Sequence, residues 1–172
     1  MGLRKAVIPA AGLGTRLYPA TKSQPKEMLP LGTKPTIHLV AEELIGAAIG
    51  DIPIVIGRHK RAIADHFDPA DGITPDESCE QCAALFDGSL VRFFYTRQSA
   101  PRGLGDAIAH AQGFVGDDDF LVALGDSVIT GREQSSLLKR LRRVHEERSA
   151  AATIAVQRVP ARGRLQVWDC GV

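Results

Sequence analysis

The chain has 172 residues, 44% apolar and 24% charged, which suits one folded domain with a sizeable core and leaves too little length for two. Its 21 Lys and Arg stand against 20 Asp and Glu, a formal charge of +1, so no bulk positive field favours nucleic acid and any anion has to be held by local geometry. Three cysteines (Cys79, Cys82, Cys170) are too few for a disulfide framework and point to a reducing, cytoplasmic setting.

The amino terminus superficially resembles a secretory signal, with Arg4 and Lys5 ahead of the apolar run Ala6 to Leu13. Pro9 and Gly12 break that run and Arg16 follows at once, so the signal reading fails. No stretch approaches the ~18 apolar residues of a membrane span, and no membrane partner is expected. Residues 5–10 (KAVIPA) instead predict a short buried strand that runs into a glycine loop. Residues 36–49 place Ile37, Val40, Leu44 and Ala48 at helical spacing, with Pro35 suited to the first turn. A second strand is expected at 51–57 (DIPIVIG) and a short helix at 59–67.

Thr74 and Glu77 form a capping box with Pro75 between them, which predicts a helix over 74–87. The third strand falls at 90–97, a helix at 105–112 and a fourth strand at 119–124. A charged amphipathic helix is expected at 133–148 and a fifth strand at 151–159. Strands alternating with helices at this spacing predict an α/β fold with a mostly parallel, helix-flanked sheet in a single domain over 1–172. In such sheets ligands bind beyond the carboxyl ends of the strands, where the glycine loop, Gln98 and Asp126 all fall.

The glycine loop lies in "PAAGLGTRLYPATKSQPKEMLP" (9–30). Gly12 and Gly14 allow a tight turn and bring amide N–H groups close to an anion. No G-x-x-x-x-G-K-[ST] is present, and Leu17 stands where a dinucleotide fingerprint needs glycine. What remains is a phosphate loop supplied with permanent cations. Arg16 offers a planar fork for two oxygens, and Lys26 a point charge on a long stem. Two other features are discounted. Cys79-x-x-Cys82 lies inside the expected 74–87 helix without a second pair, and the basic run Lys139, Arg140, Arg142, Arg143 is followed by Glu146 and Glu147, as on a solvated face. The histidines at 38, 59, 66, 110 and 145 form no pair by spacing.

This stretch resembles the amino-terminal signature of the sugar-1-phosphate nucleotidyltransferases, and most closely the bacterial UTP–glucose-1-phosphate uridylyltransferases. The resemblance continues through "GRHKRAIADHFD" (57–68), "RQSAPRGLGDAI" (97–108), "FVGDDDF" (114–120) and "LGDS" (124–127). It implies a Rossmann-like nucleotidyltransferase fold and transfer of UMP from UTP to glucose 1-phosphate, giving UDP-glucose and pyrophosphate with Mg²⁺. By resemblance, the Ala10-Ala11-Gly12 backbone faces the uracil and ribose, and Gly14 and Thr15 belong to the loop that cradles the triphosphate. Arg16 then binds the departing pyrophosphate, Lys26 holds phosphate charge at the reacting centre and Glu27 contacts the nucleoside. Gln98 reads the uracil edge with a donor and an acceptor, Gly103 lets the base lie close to the backbone, and Asp126 is the magnesium ligand.

The resemblance weakens beyond residue 130. "VWDCGV" (167–172) looks like the start of the family's sugar-facing strand, with Gly171 as a sugar contact. The sugar-binding pair and second metal aspartate of longer family members have no counterpart, so the sheet is expected to be incomplete at the carboxyl terminus, with an edge that invites a homo-oligomer. Two alternatives stay open: a truncated, non-catalytic nucleotide-binding module, and a sugar-1-phosphate nucleotidyltransferase that uses dTTP or GTP.

Overall fold

The structure, a computed structural model, describes residues 3–68, 91–129 and 134–156. Its centre is β1 (Lys5–Ala10), in which Ala6, Val7, Ile8 and Ala10 are fully buried. Apolar side chains on both faces are what a strand inside a helix-covered parallel sheet requires. After the glycine loop, β2 (Pro30–Leu31) and β3 (Lys34–Pro35) form a small antiparallel ribbon around Gly32. Then follow α1 (Thr36–Gly46), β4 (Asp51–Ile56), α2 (Arg61–Phe67) and β5 (Arg92–Arg97). The described chain continues through α3 (Leu104–Ala109), α4 (Gln112–Val115), β6 (Phe120–Val122) and α5 (Gln134–Arg148).

The main sheet has the order β5-β4-β1-β6, and every pairing in it is parallel. This is the parallel, helix-flanked sheet expected from the alternation of elements. Ile37, Val40, Ala41 and Leu44 of α1, with Ile63 and Phe67 of α2, pack on Ala6, Ile8, Ala10, Ile52 and Ile54. The opposite face is covered by Ala107, Ala111 and Val115 against Val7 and Val55. One row of the register runs Ala10, Ile56, Arg97, so Ala11, Gly57 and Gln98 leave the sheet side by side. Asp126 follows β6 at the same end.

Several boundaries differ from expectation. The first helix closes at Gly46 because Ala48 takes a left-handed φ of 61° and the Ile49 N–H bonds back to the Leu44 carbonyl at 3.1 Å. The 105–112 helix is two short helices, and the β2–β3 ribbon was not anticipated. The fifth strand is a correction: residues 151–156 take no strand geometry, and Ile154 and Val156 stand 79% and 88% exposed. A β-prone run becomes a strand only where a neighbouring ladder receives it, and the described residues supply none there. The rest of that segment, the 74–87 helix with its cysteines, and Gly171 lie outside the described residues. The basic run on α5 is solvated, with Arg142–Glu146 and Arg143–Glu147 paired at 2.8 and 3.7 Å.

Candidate active site

The loop after β1 is shaped by Gly14, whose φ of 69° is left-handed, and by the Thr21 hydroxyl, which donates to the Gly14 carbonyl at 2.8 Å. Thr15, Arg16 and Leu17 form a short 3₁₀ turn, on which Thr15 and Arg16 are exposed. A second 3₁₀ turn, Lys26–Met28, starts beside Gly14, where an added Cβ would lie 3.2 Å from Lys26 Cβ. A Cβ built on Gly12 would lie 3.6 Å from Lys26 Cε, so the lysine stem runs along the glycine backbone. Lys26 Nζ reaches Asp126 Oδ2 at 2.5 Å, joining segments 100 residues apart. The structure thus brings together Gly12, Gly14, Lys26 and Asp126.

The adjacent residue turns the other way. Glu27 is 0% exposed, and its Oε2 accepts from Lys60 Nζ at 2.7 Å, the lysine itself being 4% exposed. Burial pushes the Glu27 carboxyl above its ordinary value, opposed by the hydrogen bond and charge of Lys60. In this structure the carboxylate of Glu27, the residue expected to contact the nucleoside, reaches no open surface and is held inside by Lys60. Gly125 makes room for it, since a Cβ there would come within 3.3 Å of Glu27 Cγ and 3.1 Å of Ile8 Cγ2.

Gln98 is buried beyond β5, with its backbone N–H on the Ile56 carbonyl at 3.0 Å. Its side-chain Nε2 donates to Asp106 Oδ2 at 2.6 Å and to the Gly103 carbonyl at 3.3 Å. Gly103 has φ 99°, a backbone that non-glycine residues rarely adopt, and this aims its carbonyl at Gln98. Ala10 and Ala11 are buried, and Gly57 lies so close that a Cβ would sit 2.6 Å from the Ala11 carbonyl oxygen. Gly57, Lys60 and Asp106 are the site-shaping residues that sequence reasoning missed. All three lie within motifs quoted for the resemblance, but their partners are set by tertiary contacts. The structure also corrects the histidine reading, because His38 Nδ1 and His66 Nε2 meet at 3.1 Å between α1 and α2.

A glycine loop at the strand ends thus stands beside a lysine and a carboxylate from distant segments. A model of the nucleotidyl transferase family matches residues 5–164.

The chain belongs to that family.

It is 44% identical over 165 residues to a UTP–glucose-1-phosphate uridylyltransferase of Staphylococcus haemolyticus, a match covering 92% of this chain and 56% of the relative. A UTP–glucose-1-phosphate uridylyltransferase 2 of Streptococcus pyogenes serotype M3 is 46% identical over 164 residues, covering 92% and 54%. Among solved structures, a UTP-bound UGPase from Acinetobacter baumannii superposes with a TM-score of 0.75 at 34% identity, over 87% of this chain and 54% of that one. A UDP-glucose pyrophosphorylase complexed with UDP-glucose gives 0.73 at 33%, over 87% and 55%. The chain spans about half the length of the curated relatives it matches.

Proposed function

We propose that this chain serves the transfer of UMP from UTP to glucose 1-phosphate, yielding UDP-glucose and pyrophosphate. The observation that carries the reading is the meeting of Lys26 and Asp126 beside Gly12, at the carboxyl ends of four parallel strands. The reaction needs little covalent work from the protein. A phosphate oxygen of the sugar phosphate attacks the α-phosphorus, and the bond to the β-phosphate bridging oxygen breaks in line. Loop amides and Arg16 take up the charge of the departing pyrophosphate, while Lys26 follows the α-phosphate and lowers the barrier electrostatically. Ala10, Ala11 and Gly12 give the nucleoside a close backbone wall.

Asp126 suits Mg²⁺ as one hard carboxylate at the phosphate site. Among the described residues no group of three or more metal-ligating side chains stands with it, so phosphate oxygens and water would complete the shell, as magnesium commonly accepts. When bound, that ion supplies further neutralisation of phosphate charge. No described helix is long and apolar enough to cross a membrane, and small-molecule substrates are the partners this site fits.

Two measurements test the reading. Calorimetry with UTP and Mg²⁺ should show binding that Arg16→Ala and Lys26→Ala weaken, and pyrophosphate release with glucose 1-phosphate should fall about 10²–10³-fold in either variant. Failure to bind any nucleoside triphosphate would reject it. UTP binding without turnover would favour the second reading, a nucleotide-binding module.

A further inference from the structure

The geometry points to Asp106 as the residue that sets which end of the Gln98 carboxamide reads the base, and so as a determinant of base choice. This rests on the nucleotide reading above and deepens it. A carboxamide carries two hydrogens on nitrogen and lone pairs on oxygen, and its two ends can exchange by a flip. Here the nitrogen end is fixed by its surroundings. Asp106 Oδ2, at 2.6 Å, and the Gly103 carbonyl, at 3.3 Å, are both acceptors. A flipped side chain would aim its own oxygen at two acceptors and leave both bonds unmade. Both Nε2 hydrogens are therefore engaged, and among the described residues no hydrogen bond engages Oε1.

Gln98 consequently offers the base an acceptor and no donor, which revises the donor-plus-acceptor expectation. An acceptor there complements a ring N–H, such as N3–H of uracil or thymine. Cytosine places a lone pair at the same ring position, so oxygen would meet nitrogen with no hydrogen between them. UTP and CTP have nearly the same size and the same triphosphate, so the orientation of this one amide distinguishes them where shape cannot. It does not separate UTP from dTTP. Asp106 is a positioning residue in this scheme: it lies in the first turn of α3, its side chain is 29% exposed, and His110 Nδ1 stands 3.7 Å from the same oxygen. The backbone of α3 is closed by its own carbonyls, and Asp106 supplies no side-chain cap to it.

The test uses two substitutions and two readouts. In Asp106→Asn the new side chain can accept or donate, so both orientations of Gln98 become available. Calorimetry with UTP and with CTP should show the ratio of dissociation constants falling about tenfold, chiefly through tighter CTP binding, with the melting temperature little changed. A merely structural role would weaken both nucleotides together and leave the ratio as it was, which overturns the proposal. Independently of any nucleotide, the side-chain amide protons of Gln98 in ¹⁵N-labelled protein should be slow to exchange and lose that protection in Asp106→Ala. Unchanged protection also overturns it. Should the unsubstituted chain bind neither UTP nor CTP, the proposed function fails and base choice falls with it, while the Gln98 resonances still show whether the amide is held.

Discussion

Lys26 and Glu27 are neighbours on one turn, yet they form two ion pairs of opposite character. The Lys26–Asp126 pair stands at the mouth of the site, its side chains 24% and 34% exposed. The Glu27–Lys60 pair is sealed in the interior at 5% and 1% for lysine and glutamate. Water screens the first, so its partners can be exchanged at small cost. The second cannot be separated without stranding a charge in the core. The inner pair anchors the 3₁₀ turn to α2 and, through the space left by Gly125, to the loop that carries Asp126. The outer pair is thereby held on the exposed side of the same turn. One residue step separates a buried brace from a partly exposed pair.

The sharpest way to break this contrast is Lys60→Met. Removing one partner of a buried pair typically costs about 3–5 kcal/mol, so denaturant unfolding should show a loss of that order. Because burial already pushes the Glu27 carboxyl up, the stranded group is protonated more readily in the folded state than in the unfolded one. The deficit should be largest at high pH and shrink as pH falls toward the ordinary carboxylate range. A deficit under about 1 kcal/mol at neutral pH would show that the inner pair is no brace. Gly57→Ala follows in size. The added methyl would meet the Ala11 carbonyl oxygen at 2.6 Å, a backbone atom that cannot rotate away, and overpacking of this kind costs about 1–3 kcal/mol. UTP affinity should fall with it, since Ala11 must move; wild-type affinity in a folded Gly57→Ala protein would mean that Ala11 plays no part in the nucleoside wall.

The layout of the molecule was legible in the chain wherever the signal was local. Apolar runs of strand length separated by helical spacing placed β1, β4, β5 and β6 and, with the parallel-sheet rule, put the glycine loop, Gln98 and Asp126 at one end. What sequence could not show was the direction in which a side chain points. Lys26 and Glu27 sit in the same motif, and nothing in "PKEMLP" says that one reaches Asp126 and the other faces Lys60. The His38–His66 contact joins residues 28 apart on two helices, a distance that no spacing rule covers. The strand expected at 151–159 does not form over its described part, 151–156, for a related reason: β-branched composition states a preference, and a ladder partner decides whether it is used.

That histidine contact sharpens the comparison from the side of α2, the helix that follows Lys60. Burial holds both imidazoles below their ordinary value; Glu42 opposes this for His38 while Lys34 adds to it, and for His66 the neighbouring His38 adds to it. A group less basic when folded contributes stability above its unfolded value of about 6.5, and that stability is lost as pH falls below it. The midpoint of thermal unfolding should therefore drop on acidification from about pH 7.5 to 5.5, and drop less in His66→Gln. Equal drops in the two proteins would remove the histidines from the account.

The smallest expected effect on stability belongs to the outer pair, and its smallness is the point. Lys26→Met, Asp126→Asn and the double variant should each unfold within about 1 kcal/mol of the parent, with a coupling energy of a few tenths, as partly exposed pairs do. With Mg²⁺ present, UTP affinity should nonetheless fall in both single variants: Lys26→Met removes the cation proposed for the phosphates, and Asp126→Asn the carboxylate proposed for the metal ion. A coupling above about 2 kcal/mol would place Lys26–Asp126 with Glu27–Lys60 as a second brace. The lysine would then be too firmly held to pass from aspartate to phosphate, and the division of labour between the two neighbours would have no physical basis.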